Sequence, residues 1–156
     1  MIEIKIPGHP DLTLEHLVLD YNGTLAIDGR PIPGVRAALE ALADKLEIHV
    51  VTADTFGKAV VALQDYPCRL SILPPGDQAL AKQEYVQALG AVRTAAAGNG
   101  RNDRLMLKAA ALGMVVMQAE GTAVEALLAA DVAAPDIVSA LGLLANPLRL
   151  VAALRS

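Results

Sequence analysis

The sequence is poor in cysteine, in aromatic residues and in net charge. Of its 156 residues, one is cysteine, none is tryptophan and 3% are aromatic. The single cysteine, Cys68, excludes an internal disulfide and fits a reducing compartment. The net charge of −4 is mild, and no basic stripe is present, so we expect no nucleic-acid partner. The histidines His9, His16 and His49 are scattered along the chain, which does not favour a zinc site.

The chain also lacks a long uninterrupted apolar run. Its most apolar stretch, residues 123–154, is broken by charged residues and prolines, whereas a membrane-spanning helix needs about 20 mostly apolar residues. At the N-terminus, Ile2, Ile4 and Ile6 alternate with other residues like a half-buried strand, without a signal-peptide pattern. We therefore expect a cytoplasmic protein with no membrane partner.

Aliphatic residues are abundant, and hydrophobic residues make up 54% of the chain. Short apolar runs predict strands at residues 17–19, 48–51, 70–73, 94–97, 114–117 and 132–134. Between them, helical spacing and capping residues predict helices at 35–46, 55–66, 77–89, 103–112 and 124–129, and a last helix from Asp136 that bends at Pro147. Asp77 is expected to cap the third of these helices, and Gly90 and Gly113 are expected to stop the third and the fourth. This alternation predicts an α/β fold: a doubly wound three-layer sandwich around a mainly parallel, Rossmann-like sheet. Residues 2–6 and 12–14 predict an N-terminal β-hairpin, and one domain is expected to span residues 1–156.

Polar residues follow the predicted strands at the edge where open α/β sheets bind ligands. Asp20 follows the first strand of the sheet, Thr52 follows the second, and a glycine-rich loop at residues 98–103 follows the fourth. Lys82 lies in the first turns of the helix after the third strand. A carboxylate can attack phosphorus, a hydroxyl and an ammonium can bind phosphate oxygens, and a polar glycine loop suits an oxygen-preferring ion such as Mg²⁺. These residues predict a phosphoryl-transfer site.

At these positions the sequence resembles the haloacid dehalogenase (HAD) superfamily. Asp20-Tyr21-Asn22-Gly23-Thr24 is similar to the first motif, Asp-x-Asp-Gly-Thr. Thr52 matches the second motif and Lys82 the third, although Lys58 and Lys108 are alternatives for that lysine. Residues 98–103 match the fourth motif in the form closest to P-type ATPases. The resemblance implies a HAD-like hydrolase domain, similar to soluble P-type-ATPase-like phosphatases, that uses Mg²⁺.

The resemblance also implies roles for individual residues. Asp20 would be the nucleophile, and the catalytic set would be Asp20, Asn22, Thr52 and Lys82. The Mg²⁺ ligands would be Asp20, the backbone carbonyl of Asn22, Asn99 and Asp103. Contacts to substrate would come from Tyr21, Gly23 and Ala53. In simpler interpretations Asp103 only caps the following helix and Asn99 only shapes its turn, while Asp28 and Asp54 are solvated loop residues and Thr55 caps a helix.

Two departures from the family pattern affect the functional prediction. Asn22 stands where the family has its general acid/base aspartate, and an amide cannot shuttle a proton, which removes an effect of roughly 10²–10⁴-fold. Asn99 stands where a Mg²⁺-binding aspartate is common. Two hypotheses follow: a phosphatase or phosphotransferase that acts through a phospho-Asp20 intermediate and turns over slowly, or a catalytically impaired phosphate-binding or regulatory protein.

The segment between Asp20 and Thr52 is short. It leaves room for a flap hairpin at residues 25–33 but not for a large cap domain. Capless members of the family tend to cover their site with a neighbouring subunit or a macromolecular substrate, which makes a homo-oligomer plausible. The expected partner is a phosphorylated small molecule or a phosphoprotein. A dinucleotide-binding domain is disfavoured, because the glycine loop lacks a third glycine and lies late in the chain.

Overall fold

Six parallel strands form the central sheet of the computed structural model, which describes residues 1–156. The strands are β1 (Ile2–Ile4), β2 (Leu12–Leu14), β3 (His16–Leu19), β4 (Ala26–Ile27), β5 (Arg30–Pro31), β6 (Glu47–Thr52), β7 (Arg69–Ile72), β8 (Thr94–Gly98), β9 (Leu112–Val116) and β10 (Val132–Ala134). The helices are α1 (Val35–Glu40), α2 (Lys58–Ala62), α3 (Gln78–Leu89), α4 (Arg104–Ala109), α5 (Val124–Ala129), α6 (Ile137–Ala145) and α7 (Pro147–Leu154).

The strand order places β3 in the middle of the sheet. The order is β10-β9-β8-β3-β6-β7, and every neighbouring pair is parallel. The chain leaves β3 toward β6 and β7 and later returns to β8 on the other side, so β3 adjoins the point where the winding reverses. Ligands of open α/β sheets bind at such a point, and Asp20 is the first residue beyond this strand.

Helices cover both faces of the sheet, as the predicted three-layer sandwich requires. Because side chains alternate along a strand, Leu17 and Leu19 point into a larger core of 29 buried residues. That core also holds residues of α1, α2, α6, α7 and the β1–β2 hairpin. Val18 points to the opposite face, where a core of 10 buried residues includes side chains of α3, α4 and α5. The predicted fold class is confirmed.

Both predicted hairpins are present, and no cap domain is inserted in the chain. The antiparallel strands β1 and β2 pair Ile2 with Leu14. The strands β4 and β5 form the flap, and its turn residues Asp28 and Gly29 have φ angles of 52° and 77°. Two successive positive φ angles are typical of a tight hairpin turn. No single helix is long and apolar enough to cross a membrane; only α6 and α7 taken together reach that length and composition, and they are bent by 100°.

Three predicted helices are shorter than expected, and the one predicted over residues 103–112 spans only Arg104–Ala109. The helix predicted over residues 35–46 ends at Glu40, and tight turns continue the chain while still burying Leu42 and Leu46. The helix predicted from Thr55 begins at Lys58, so the prediction that Thr55 caps it is wrong. The N-cap residue is Gly57, and the carboxylate of Asp54 accepts the N–H groups of Ala59 and Val60 in the first turn.

Gly113 does not stop a helix, as the sequence predicts, but lies inside β9. A Cβ atom at this position would lie 2.3 Å from the backbone oxygen of Leu107 in α4. A backbone atom cannot swing aside as a flexible side chain can, so only glycine allows α4 to approach β9 this closely.

Replacing Gly113 with alanine should therefore destabilise the fold by about 1–3 kcal/mol, the usual cost of overpacking. Urea denaturation of Gly113→Ala and wild type measures the difference. Gly142→Ala is the matched control: this glycine lies in α6, and its added Cβ would have no neighbour closer than 3.5 Å. Alanine in a helix interior should stabilise by roughly 0.5–1 kcal/mol. Equal stabilities for the two variants would contradict the close approach of α4.

Candidate active site

Asp20 begins the candidate site at the carboxyl end of β3. Its N–H donates to the carbonyl of Ala97 at 3.1 Å, which continues the β3–β8 ladder by one residue. The residue is only 6% exposed, and both carboxylate oxygens are hydrogen-bonded. Oδ1 accepts from Lys82 Nζ at 2.7 Å, and Oδ2 accepts from Thr24 Oγ1 at 3.0 Å. The predicted nucleophile is therefore buried and held in one orientation.

Lys82 bridges Asp20 and Asp103. Its Nζ lies 2.7 Å from an oxygen of each carboxylate, and the residue is 1% exposed. The helix that carries it is capped by Asp77, as predicted, and turns Ala79, Lys82 and Val86 inward. The structure thus brings Lys82 to Asp20 and leaves the alternatives Lys58 and Lys108 exposed. One buried ammonium between two carboxylates leaves a local charge of −1 when all three groups are ionised.

Asp103 is fully engaged by the protein. Its Oδ1 accepts from Lys82, and its Oδ2 accepts the N–H groups of Asn99 and Gly100 at 3.0 and 2.9 Å. A Cβ atom on Gly98 would lie 2.5 Å from Asp103 Cγ, which explains the glycine that ends β8. The side chain does not cap α4. Asp103 therefore holds Lys82 and the glycine loop in place, and a metal contact from Asp103 would have to replace one of these hydrogen bonds.

The oxygen atoms that suit a Mg²⁺ ion meet around Thr24, a residue for which no role is predicted from the sequence. Its hydroxyl oxygen lies 3.0 Å from Asp20 Oδ2 and 3.2 Å from Asn99 Oδ1, so the hydroxyl can donate to either oxygen. Asn99 Nδ2 donates to the carbonyl of Gly121, which leaves Oδ1 facing the Thr24 hydroxyl. The backbone of Asn22 lies in the same turn. All these candidate ligand atoms are oxygens, which Mg²⁺ prefers. The residues therefore fit the predicted metal, although they include fewer carboxylates than a typical Mg²⁺ site.

The two charged partners titrate away from their usual ranges. Burial raises the pKa of Asp20 to about 6, and the nearby Asp103 carboxylate adds to the rise, while Lys82 and the Thr24 hydroxyl oppose it. Burial alone would lower the pKa of Lys82, but Asp20 and Asp103 outweigh burial and hold it above its usual value. In the metal-free protein, then, Asp20 takes up a proton close to neutral pH while Lys82 keeps its charge.

This raised pKa makes the stability of the metal-free protein depend on pH. A carboxyl group whose folded pKa exceeds its unfolded value of 3.8 stabilises the fold below pH 4 and loses that contribution as pH rises through about 6. A gap of about two units corresponds to roughly 2–3 kcal/mol. Urea denaturation in EDTA should show wild type losing that much stability between pH 4 and 7 relative to Asp20→Asn, which cannot titrate. Parallel pH profiles for the two proteins would contradict the assignment.

Backbone N–H groups beside Asp20 are available to bind an anion. The N–H groups of Tyr21, Asn22 and Ala53 donate to no other protein atom. Thr52 is buried at the end of β6, and its hydroxyl accepts the N–H of Asp54 at 3.3 Å, which leaves the hydroxyl hydrogen free. Free N–H groups in successive turn residues form concavities that favour phosphate oxygens. The Thr52 hydroxyl and the N–H groups of Tyr21 and Ala53 are therefore free to donate to an anion at this edge of the sheet.

Tyr21 and Gly23 also have structural tasks that the sequence does not indicate. The Tyr21 side chain is buried, and its hydroxyl donates to the carbonyl of Gly29 at 2.9 Å, which ties the flap to the core. The N–H of Gly23 is not free, because it donates to the carbonyl of Ala26. Gly23 has a φ of 78°, and a Cβ atom there would lie 2.3 Å from Asn99 Nδ2. Its absence of a side chain makes room for Asn99.

A polar cleft of about 350 Å³ opens beside these groups, between the flap turn and the start of α2. It is lined by Asn22, Asp28, Gly29, Ala53, Asp54, Thr55, Phe56, Lys58 and Glu120. The prediction that Asp54 is only a solvated loop residue is wrong, because Asp54 is half-buried, accepts two N–H groups of α2 and has a φ of 41°. Asp28 is exposed, as predicted, and its N–H donates to Glu120. Asn22 is exposed at the wall of this cleft.

Two curated proteins of Methanocaldococcus jannaschii, both uncharacterized, are similar in sequence. MJ0073 is 47% identical over 60 residues, which cover 38% of this chain and 64% of that protein. The aligned segment thus spans less than two thirds of that relative's length. MJ0072 is 44% identical over 39 residues, which cover 25% of this chain and 89% of that protein. No family model matches the chain.

Solved structures with the same fold are HAD proteins and a P-type ATPase. A Legionella pneumophila protein assigned to subfamily III A of the HAD hydrolases superposes with a TM-score of 0.72 at 16% identity, covering 90% of this chain and 86% of that one. The 3-deoxy-D-manno-octulosonate 8-phosphate phosphatase of Moraxella catarrhalis has a TM-score of 0.66 at 15% identity, with 85% and 86% covered.

The P-type ATPase is a zinc-transporting PIB-type pump with a TM-score of 0.59 at 24% identity; it covers 79% of this chain and 20% of that one. At these identities the similarity shows the fold alone. The shared fold agrees with the resemblance of the motifs to HAD proteins and to P-type ATPases. The chain therefore has the fold of the HAD superfamily hydrolases and belongs to one family with the uncharacterized protein MJ0072.

Proposed function

We propose that the chain is a Mg²⁺-dependent phosphatase or phosphotransferase of the HAD type, in which Asp20 attacks phosphorus and carries the phosphoryl group. The observation that supports this most is the ammonium of Lys82, buried 2.7 Å from both Asp20 and Asp103 at the ligand-binding edge of the sheet. Burying three charged groups costs free energy, and their mutual attraction repays this cost only with good geometry and further hydrogen bonds. Perturbed titratable groups beside a cleft are typical of functional sites.

The phosphoryl transfer itself can be assigned to groups of this chain. A carboxylate oxygen of Asp20 forms the new O–P bond while the bond from phosphorus to the leaving oxygen breaks. The N–H groups of Tyr21, Asn22 and Ala53, with the Thr52 hydroxyl, bind the equatorial oxygens, and Lys82 stabilises their charge. A Mg²⁺ ion held by Asp20, the Asn22 carbonyl and Asn99 would neutralise further phosphoryl charge.

The site lacks an acid/base side chain at position 22, where the HAD resemblance implies one. The amide of Asn22 can neither protonate the leaving oxygen nor take a proton from the water that later hydrolyses the phospho-aspartate. Solvent has to serve in both steps, so we propose that the acyl phosphate forms and then decays slowly.

The cleft favours a small phosphorylated substrate. Its volume of about 350 Å³ lies within the range of small-molecule sites. The M. catarrhalis enzyme with the same fold is described in complex with magnesium, phosphate and a KDO molecule. Lys58, which pairs with no carboxylate, lines the cleft and can attract an anionic substrate. A phosphoprotein substrate and a homo-oligomer stay predictions from the sequence.

The proposal is tested by trapping the phosphorylated enzyme. Wild type incubated with Mg²⁺ and an aryl phosphate or acetyl phosphate should gain one phosphoryl group that hydroxylamine removes, as it does from acyl phosphates. Asp20→Asn should gain none. Asp28→Asn is the matched control, since Asp28 is an exposed carboxylate on the same cleft, and it should be labelled like wild type. Equal labelling of wild type and Asp20→Asn would overturn the proposal.

The second candidate is a phosphate-binding regulatory protein without turnover. The amides at Asn22 and Asn99, in positions where the resemblance implies carboxylates, favour it. It would be supported if phosphate or beryllium fluoride stabilised the wild type against heat while neither wild type nor Asn22→Asp ever became phosphorylated.

A further inference from the structure

A second cluster of ligating side chains lies at the opposite edge of the sheet from Asp20. His16 begins β3 and pairs in register with Glu47, the first residue of β6, while His49 lies two residues further along β6. Because side chains alternate along strands and neighbouring parallel strands are in register, all three point to the same face. His16 and Asp20 are four residues apart on extended chain, about 13 Å, so this cluster is separate from the candidate active site.

The ligating atoms of the cluster form a triangle of the size that a tetrahedral metal ion requires. His16 Nδ1 lies 3.3 Å from Glu47 Oε2 and 3.4 Å from His49 Nε2, and the third side, between His49 Nε2 and Glu47 Oε2, is 3.9 Å. Zn²⁺ binds imidazole nitrogen and carboxylate oxygen at about 2.0–2.2 Å, so two ligands of a tetrahedral ion lie about 3.4 Å apart. One ion fits the three atoms with small adjustments.

Neighbouring residues orient these ligands as outer partners of metal sites do. His49 Nδ1 lies 2.9 Å from the Tyr85 hydroxyl, which leaves Nε2 directed into the cluster. Arg69 binds Glu47 Oε1 at 2.6 Å, which leaves Oε2 for the cluster. Hydrogen bonds from outer residues to the second nitrogen of a histidine and to a carboxylate are typical of metal sites.

A hydrogen-bonded ion pair without metal explains the cluster less completely. His16 Nδ1 has one proton at most, yet both Glu47 Oε2 and His49 Nε2 approach that same nitrogen. The separation of 3.4 Å between the two ring nitrogens is long for a hydrogen bond. A metal ion would use all three lone pairs at once. Glu47 is partly exposed, so water can supply the fourth ligand.

We propose that His16, Glu47 and His49 bind a divalent transition-metal ion, best matched by Zn²⁺, at the amino edge of the central sheet. Two imidazoles and one carboxylate suit Zn²⁺ rather than Mg²⁺, which prefers oxygen ligands alone. The ion would join β3 to β6 and, through Tyr85, would also fasten α3, the helix that carries Lys82. The scattered histidine positions do not favour a zinc site in the sequence, yet His16 and His49 meet in the folded chain.

The test is a Zn²⁺ titration of metal-free protein in excess Mg²⁺. Binding is measured by calorimetry or by competition with a chromophoric chelator. One Zn²⁺ per chain should bind. His16→Gln and Glu47→Gln should each weaken binding by more than about 100-fold, and Tyr85→Phe by about 10-fold, the lower end for an outer partner. His9→Gln is the matched control, because the third histidine lies in the turn between β1 and β2 and its ring bonds only to Pro10. Cys68→Ser and Asp20→Asn should also bind Zn²⁺ like wild type.

Circular dichroism would show that each variant is folded, and His16 and Glu47 are preferred for substitution because His49 is the most buried of the three. With Co²⁺ in place of Zn²⁺, wild type should show the strong visible absorption of a tetrahedral site, and His16→Gln should not. Absence of stoichiometric Zn²⁺ binding, or equal affinity in folded His16→Gln, would overturn the proposal. Loss of binding in Cys68→Ser or Asp20→Asn would do so too, by placing the metal elsewhere.

Discussion

Replacing Lys82 with methionine should destabilise the fold by about 3–5 kcal/mol, the range found when one partner of a buried ion pair is removed. The ammonium is the cation that Asp20 and Asp103 share, at 2.7 Å from each. Methionine fills a similar volume but leaves two buried carboxylates facing each other. Urea denaturation at pH 7.5 measures the loss. Lys58→Met is the matched control, because Lys58 is exposed, and a surface change of this kind stays within about 0.5 kcal/mol.

The mechanism of this destabilisation can be checked in two ways. Since the pKa of Asp20 is already raised to about 6 by burial, Lys82→Met should regain part of its stability at pH 5, where Asp20 can take up a proton. Adding Asp20→Asn to Lys82→Met removes one of the opposed charges and should also restore stability, so the two substitutions should be strongly non-additive. Additive losses, or a wild-type stability for Lys82→Met, would show that the three groups do not act as a unit.

Much of this site could be predicted because the sheet edge follows from simple rules. Asp20 and Thr52 come directly after apolar runs, and parallel strands bring their carboxyl ends to one edge. Lys82 was located by the helix signals around it: Asp77 as cap and Gly90 as stop, both of which the structure has. The residues that hold these groups in place are harder to predict from the sequence. The hydrogen bonds of Thr24 and Asp103 depend on loop geometry, which the spacing of residues in the sequence does not encode.

Other features depend on distances between segments that are remote in sequence. The cluster of His16 and His49 requires the register of β3 against β6, which a list of histidine positions does not contain. Gly113 looks like a helix stop until α4 is seen against β9. The apolar spacing that predicted a helix to residue 46 was correct about burial of Leu42 and Leu46, but tight turns bury the same side chains. The spacing of apolar residues predicts which side chains are buried more reliably than it predicts the residue at which a helix ends.

Replacing Asn22 with aspartate should accelerate steady-state phosphate release from an aryl phosphate by roughly 10²–10⁴-fold, the usual contribution of a general acid/base. In barrier terms this is about 3–5 kcal/mol. The Asn22 side chain makes no hydrogen bond with the protein and is exposed on the cleft beside Asp20, so the aspartate should leave the fold intact and reach the leaving group. The rate and the steady-state level of phospho-Asp20 should be measured together.

The pattern of these two quantities separates proton transfer from metal binding. Asn22→Asp should raise the rate and lower the level of phosphoenzyme, because the acyl phosphate is hydrolysed faster. Asn99→Asp adds a carboxylate to the predicted metal site instead, so it should lower the Mg²⁺ concentration needed for phosphorylation and change the maximal rate little. Asn102→Asp, an exposed asparagine of the same glycine loop, controls for added charge. If Asn22→Asp is phosphorylated on Asp20 yet releases phosphate no faster than wild type, another group transfers the proton and the amide does not limit turnover.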